Sequence, residues 1–553
     1  MSDEIESLAG WRSQKSDKGP CTKSTARWVI LGRHRRDLTM LARVWSATPL
    51  GVEAVQVGVE VDLGGGLPQT TIVGLPDAAV QESRERVKAA IKNSGYAVPM
   101  RKVTINLAPA DIRKEGPAFD LPIAVGILGA SRQVNQEMLG EYLFTGELSL
   151  DGSLQPVAGV LPIALRAQAL GMKGIILPEA NAPEAAIIPG LSVYGLKNLA
   201  QVGDFLSHPH RFTPLKLDAN DLLNSFQGNE LEAGLDLAEV KGQNLARRSL
   251  EIAAAGGHNL LLVGPPGSGK TMLARRLPSI LPPLDFAEAL EVTKIYSVSG
   301  LLQNRGRLVS RRPFRSPHHS ASGPALVGGG SYPRPGEISL AHAGILYLDE
   351  LTEFRREVLE FLRQPLEDGK VTISRTRMAL EFPARFTLVA STNPCPCGFY
   401  GDTLVACRCS PQQREKYWNR LSGPLLDRID LQVAVARLKP EEMNIRISVQ
   451  AESSAVVRAR VTHARQRQKE RLQGEKVYCN AQMTARHLRE HIVLEDSSRQ
   501  LLEAAVRRLG LSARGLDRVL KVARTIADLA EETHIKTPHV AEAIQYRALD
   551  RMH

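Results

Sequence analysis

NLLLVGPPGSGKT, residues 259–271, is the stretch from which the rest of the chain can be read. Leu260 to Val263 is a short apolar run, which predicts a buried strand. It enters Gly264-Pro265-Pro266-Gly267-Ser268-Gly269-Lys270-Thr271, which meets G-x-x-x-x-G-K-[ST] at every fixed position. A helical pattern follows at once, from Met272 to Leu277. Glycines in such a turn let backbone N–H groups face phosphate oxygens, where a Cβ would obstruct. The helix behind points its positive end at the same oxygens. Lys270 then supplies a charge for the β- and γ-phosphates, and Thr271 a hydroxyl for Mg²⁺. ATP and Mg²⁺ are the expected cofactors. The alternative is a glycine-rich turn that matches by accident, and both flanks speak against it.

Two later stretches suit the same chemistry. Gly344-Ile345-Leu346-Tyr347-Leu348-Asp349-Glu350 runs apolar residues into two carboxylates, as in a buried strand that delivers them to its C-terminal end. Asp349 is placed to hold Mg²⁺, and Glu350 to orient and polarise the attacking water. Alone, the run also describes an ordinary strand ending in a charged turn. Phe386 to Pro394 is a further strand, ending in the polar amide of Asn393.

The chain has 553 residues, 43% hydrophobic and 23% charged, enough for three or four domains with their own cores. No apolar run approaches the roughly eighteen residues of a membrane span, so no membrane partner is expected. The formal charge of +11 suits nucleic acid or another polyanion and says nothing about fold. Aromatics, at 5%, are too few for an evident base-stacking platform. Four of six cysteines fall in one loop, residues 395–409: Cys395, Cys397, Cys407 and Cys409. Four thiolates at C-x-C-x₉-C-x-C spacing can close a structural Zn²⁺ site, with no open position for catalysis. Reduced or redox-active thiols are the alternative. ATP-dependent chemistry points to a reducing, cytoplasmic setting, where clustered cysteines more often bind metal than form disulfides.

Residues 1–39 show no sustained periodicity and read as a disordered extension or the product of an upstream start codon. Residues 40–210 alternate strands (Val55–Val61, Lys102–Leu107, Gly174–Pro178) with helices (Ala79–Asn93, Leu121–Ala130), which predicts an α/β or α+β domain. Residues 211–235 read as a linker, 236–436 as the nucleotide-binding core, and 437–553 as paired helices. The last part includes Ala455 to Gly474, whose six basic residues form a solvated or a DNA-facing helix face. Val298 to His342 reads as a long structureless loop, which inside a compact core is usually functional. Its Arg311 and Arg312 are candidate DNA contacts. Gly369 to Pro383 reads as a hairpin with Arg375 and Arg377 near its tip, either a phosphate-tracking hairpin or a solvated one.

The N-terminal part resembles the protease domain of the Lon family, a ribosomal-S5-like fold. Lys114-Glu115-Gly116-Pro117-Ala118-Phe119-Asp120 is similar to that family's K-D-G-P-S-A-G stretch, and Thr145-Gly146-Glu147 and Gly159-Val160-Leu161 are similar to its T-G-E and G-G-L-K stretches. The nucleophilic serine falls on Ala118 and the general-base lysine on Leu161. Neither side chain can perform that chemistry, so proteolysis by this dyad is expected to be absent and a scaffold or oligomerisation role is favoured.

The nucleotide core resembles AAA+ proteins of the clade that includes magnesium chelatase and the MCM helicases. That resemblance makes Asn393 sensor 1, which helps place the water or contacts the γ-phosphate. Arg428 in Pro424-Leu425-Leu426-Asp427-Arg428-Ile429-Asp430 matches the arginine finger that reaches a neighbour's nucleotide; an ion pair with Asp427 or Asp430 is the alternative. Arg514, in Leu511-Ser512-Ala513-Arg514-Gly515, matches sensor 2, which touches the γ-phosphate of its own subunit, and the helices around it match a helical lid. The two basic insertions match elements that line a ring's pore. From about Met40 onward the chain resembles the ComM/YifB family of magnesium-chelatase-like AAA+ proteins. The resemblance implies a hexameric ATP-driven motor for branch migration of single-stranded or branched DNA during natural transformation or recombination. A chelatase-type ATPase subunit and a protein remodeller remain the alternatives. The expected fold is therefore multi-domain α/β: a Lon-like α+β domain, a P-loop core with a parallel sheet, and a helical lid.

Overall fold

The computed structural model describes residues 40–217, 235–302, 307–330, 333–375, 378–437, 451–475 and 477–547. The extension 1–39, most of the expected linker and Arg377 lie outside them. From Leu41 onward the chain forms one compact unit.

The N-terminal part builds nine strands: β1 (Leu41–Leu50), β2 (Glu53–Gly64), β3 (Gln69–Val73), β4 (Lys102–Ala108), β5 (Tyr142–Phe144), β6 (Glu147–Leu148), β7 (Leu154–Gln155), β8 (Gly174–Pro178) and β9 (Ser192–Leu196). Seven form one mixed sheet in the order β3-β4-β2-β1-β5-β8-β9, while β6 and β7 pair separately. The period-two reading of β2 holds: Val57, Val59, Val61 and Leu63 are buried. The helix Asp120–Ala130 is apolar on all sides and buried at every residue.

The nucleotide core builds β10 (Leu260–Val263), β11 (Phe314–Arg315), β12 (Gly328–Gly329), β13 (Arg334–Pro335), β14 (Ile345–Leu348), β15 (Lys370–Arg375), β16 (Met378–Pro383), β17 (Thr387–Thr392) and β18 (Leu431–Ala434). Five make a parallel sheet in the order β11-β14-β17-β10-β18. Both β10 and β14 are buried at every position, as continuous apolar strands covered on both faces must be. The segment 298–342 is not structureless: β11 forms the edge of this sheet, and short helices stand at Gly323–Val327 and Glu337–Leu340. Segment 370–383 is the expected hairpin, β15 against β16.

Helices Ser454–Arg471, Asp496–Leu509, Ala513–Leu529 and Thr537–Gln545 follow. Val461, Val522, Ile526 and Val540 share one apolar cluster with Leu260, Leu262 and Leu273. Full burial of one such side chain stabilises by about 1.5–3 kcal/mol. Three basic residues of Ser454–Arg471 turn inward rather than toward solvent or DNA. Arg460 pairs with Glu251 and Glu452, Arg471 pairs with Asp528, and Arg465 donates to the Ala254 carbonyl at the end of helix Asn244–Gly256. Among the described residues, no helix is long and apolar enough to cross a membrane.

Candidate nucleotide site

Strands β10, β14 and β17 run parallel, so their C-terminal ends meet at one edge of the sheet. The glycine-rich loop follows Val263, Asp349 and Glu350 follow Leu348, and Asn393 follows Thr392. Glycine is required at several places there, Gly264 and Gly269 among them. A Cβ on Gly264 would lie 2.2 Å from the Val435 carbonyl oxygen, and Gly269 has a φ of +92°. Helix Lys270–Ile280 starts directly behind, opening its first N–H groups toward the loop. The Ser268 hydroxyl is buried with no hydrogen-bond partner. An unpaired buried hydroxyl beside open N–H groups fits a phosphate.

Lys270 Nζ donates to the carbonyls of Gly264 (2.7 Å) and Pro265 (3.0 Å) and to Asn393 Oδ1 (3.2 Å). Burial pushes its pKa below the ordinary lysine value, against the pull of Asp349 and Glu350. Thr271 Oγ1 donates to Asp349 Oδ2 at 2.9 Å, and Ser391 donates to the other carboxylate oxygen. Burial opposes ionisation of Asp349, but the Ser391, Thr271 and Tyr347 hydroxyls outweigh it and hold the carboxyl below its ordinary range. A carboxylate beside a threonine hydroxyl suits Mg²⁺. Tyr347 donates to Thr271 (3.3 Å) and Ser391 (3.2 Å); burial pushes its phenol up to about 12, so it stays a donor.

Glu350 has a φ of +53°, a conformation costly for a non-glycine residue and concentrated at functional sites. Its carboxylate is half exposed, with His319 Nδ1 3.7 Å away. His319, Ser391 and Tyr347 were not singled out by the sequence. Tyr347 could have been, because residues two apart on a strand share a face and it stands two before Asp349. His319 carries no such signal; 31 residues separate it from Glu350 in the chain.

Arg428 stands at the opposite edge. It precedes β18, and its carbonyl accepts from Asn259, the residue before β10. Strands of four residues at about 3.3 Å per residue separate the two edges by roughly 13 Å. Arg428 is therefore out of reach of phosphates on its own loop. Its guanidinium is buried, paired with Glu367 rather than Asp427 or Asp430. Arg514 follows the N-cap Ser512, is largely exposed, and lies 3.9 Å from the same Glu367. In this structure Arg514 thus stands beside Arg428 at Glu367, with most of its side chain open to solvent.

The candidate DNA contacts separate. Arg312 is committed internally, donating to the carbonyls of Pro282, Pro283 and Ala343 and forming a double hydrogen bond with Glu288, so it is not available to a phosphate. Arg311 is exposed. Arg375 ends β15, and the hairpin tip beyond it lies outside the described residues.

The four sulfurs of Cys395, Cys397, Cys407 and Cys409 lie within 4.8 Å of one another. Cys395 is 3.3 Å from Cys397 and 3.7 Å from Cys407, and Cys397 is 3.6 Å from Cys407. A tetrahedral ion with Zn–S bonds of about 2.3 Å sets sulfur–sulfur edges of about 3.8 Å, so the donor set fits.

The two positions that match the Lon dyad are apolar and packed. Leu161 is fully buried, and Ala118 packs on the same cluster, which also contains Ala289, Val292 and Leu284 of the nucleotide core. Helix Phe286–Val298 lies across this place: the Ser297 carbonyl accepts from Gly159 N at 3.0 Å, and Ser297 donates to the buried Glu184 at 2.6 Å.

A glycine-rich loop between parallel strand and helix, facing two carboxylates and an amide across an inserted strand, defines a P-loop nucleotide-binding core of the AAA+ class. Residues 236–443 match the family described as magnesium chelatase, subunit ChlI. Residues 59–181 match the subunit ChlI of Mg-chelatase, and 451–547 its C-terminal part. The chain is 46% identical to the competence protein ComM of Haemophilus influenzae over 93% of its own length and 98% of that protein. It is also 46% identical to the uncharacterized protein YifB of Escherichia coli, with the same coverage. It is 29% identical to Lon protease 2 of Thermus thermophilus over an alignment of 169 positions, which covers 28% of the chain and 20% of that protein. The chain belongs to the ComM/YifB family of magnesium-chelatase-like AAA+ proteins.

Proposed function

We propose that this protein is an ATP-hydrolysing ring motor that acts on DNA, with each nucleotide site completed by a neighbouring copy. The observation that carries the reading is the split between the two edges of the parallel sheet. Lys270, Thr271, Asp349, Glu350 and Asn393 gather at one edge, and Arg428 with Arg514 at the other. Phosphates and Mg²⁺ would be held by the 264–271 loop and Asp349, and Glu350 would orient the water. Arg428 and Arg514 then serve the next subunit, which requires a ring or filament, and a hexamer is our reading. Arg428 would leave Glu367 to do so. The hairpin 370–383, with Arg375 and Arg377, and Arg311 are the remaining candidates for tracking a DNA backbone without reading sequence. The relative named for competence favours transforming DNA as the track, handled in the cytoplasm by branch migration. The four cysteines would hold one structural Zn²⁺. The N-terminal part would serve as scaffold, without peptidase activity.

The match to chelatase families supports a second reading, an ATPase subunit that drives a chelatase or remodels protein without DNA. The steady-state ATPase rate, with and without single-stranded and branched DNA and with Glu350→Gln as background, separates them. Stimulation that fades as salt rises supports a DNA motor. A flat response, with no DNA retained by ATP-loaded protein, moves the reading to the second.

A further inference from the structure

The cysteine loop is wedged into the nucleotide site. Only Pro394 separates Asn393, whose Oδ1 accepts from Lys270, from Cys395. On its other side the loop packs on the phosphate-binding turn: a Cβ on Gly398, whose φ is +86°, would come within 2.7 Å of Cδ of the Pro266 ring, so only glycine fits. Arg437 closes the same seam. It donates to the Pro266 carbonyl at 3.2 Å, pairs with Asp402 of the loop at 3.7 Å and stacks on Phe399 at 5.7 Å. The Trp418 indole anchors the Pro394 carbonyl at 3.1 Å. Backbone N–H groups already face the sulfurs, with Cys409 N 3.4 Å from Cys407 Sγ, the outer hydrogen bonding that thiolate–metal sites use.

We propose that the metal held by Cys395, Cys397, Cys407 and Cys409 is a working part of the hydrolytic site, because it fixes Asn393 against Lys270 and Pro266. This rests on the zinc reading given above. With four sulfur ligands the ion has no position for substrate, so it acts only through the loop. Asn393 is a short side chain on a segment that is no longer strand, and its angle toward the water and γ-phosphate depends on what holds residues 394–398. Without the metal the four sulfurs lose their common partner, and the loop could open at no cost to the sheet behind it. The consequence is selective. Nucleotide binding, carried mostly by the backbone of residues 264–269 and by Lys270, survives loss of the metal. Hydrolysis, which needs Asn393 placed to a fraction of an ångström, does not.

The test uses the full-length protein purified without chelator. Bound zinc is counted by elemental analysis, then removed by chelation in one arm and by Cys397→Ser/Cys409→Ser in a second. ATP affinity, turnover, circular dichroism and unfolding temperature are followed in both. The expected result is one zinc per chain, turnover reduced roughly tenfold or more on removal, and ATP affinity within about threefold of the holoprotein. Added Zn²⁺ restores the chelated arm, and Asn393→Ala shows the same kinetic defect with its zinc still bound. Unchanged turnover after release of one zinc overturns the coupling and leaves the zinc reading standing. Parallel loss of binding, turnover and folded structure also overturns it, because the ion is then merely structural. Absence of zinc from the native protein, with none taken up from added Zn²⁺, overturns the zinc reading and the coupling together.

Discussion

The 264–271 loop and the Ala118–Leu161 pair are two places where this chain resembles catalytic machinery, and their surroundings differ in kind. Around the loop, the groups placed for phosphate and Mg²⁺ are polar and held by other polar groups: Lys270 by two carbonyls and Asn393, Asp349 by Thr271 and Ser391. Around Ala118 and Leu161 the nucleophile and base positions carry hydrocarbon, and helix Phe286–Val298 of the nucleotide core packs over them. A water-accessible dyad needs polar partners and an open cleft. An apolar pair needs neighbours, and here the neighbours come from the ATP-binding half. The Ala118–Leu161 place packs against the nucleotide core, so mutations there should act on stability and mutations at the loop on turnover.

The sharpest way to break that contrast is at the far edge of the sheet. Arg428→Ala should reduce ATP turnover by roughly 10³-fold, the scale of an arginine finger, with ATP affinity in equilibrium binding little changed. Glu350→Gln follows, with a loss of about 10²–10⁴-fold; a protein that binds ATP but does not turn it over is the expected product, checked by phosphate release. At the other site the readout changes. Leu161→Ala should cost about 2–5 kcal/mol of folding stability in denaturant titration, with turnover per folded molecule intact. Ala118→Ser combined with Leu161→Lys should add no peptidase activity against casein or short peptides, because the lysine enters an apolar seam closed by Ser297 and Glu184. The smallest effect is expected at His319. His319→Ala should change basal turnover by only about two- to fivefold, through the orientation of Glu350, with KM for ATP unmoved and His319→Asn restoring part of the effect.

The local parts of this account were legible in the sequence because their chemistry is local. A strand, a turn and a helix within thirteen residues carry the loop, and the parallel sheet that gathers Asp349 and Asn393 beside it follows from apolar runs that end in polar residues. The four-cysteine cluster was legible for the same reason. What was hidden depends on pairs far apart in the chain. Arg428 and Glu367 are 61 residues apart, and no spacing rule joins them. Arg312 looked available because it sits in a basic run, yet the turn Pro282-Pro283 and Glu288 come back to use its donors. The helix start at Arg514 was legible from Ser512, whereas its approach to Glu367 joins residues far apart in the chain. The apolar residues at Ala118 and Leu161 were readable in the sequence; that helix Phe286–Val298 reaches Leu161 through Ser297 was not.

The central claim is that one chain supplies half of each nucleotide site, and subunit mixing tests it directly. Lys270→Ala lacks a working loop but keeps Arg428, and Arg428→Ala lacks the arginine but keeps its loop. Each should be nearly inactive alone. Mixed in equal amounts and allowed to exchange, they should hydrolyse ATP well above the sum of the two separate rates, because some interfaces then pair an intact loop with an intact Arg428. A mixture no faster than that sum, in subunits shown by fluorescence transfer to share assemblies, would contradict the account.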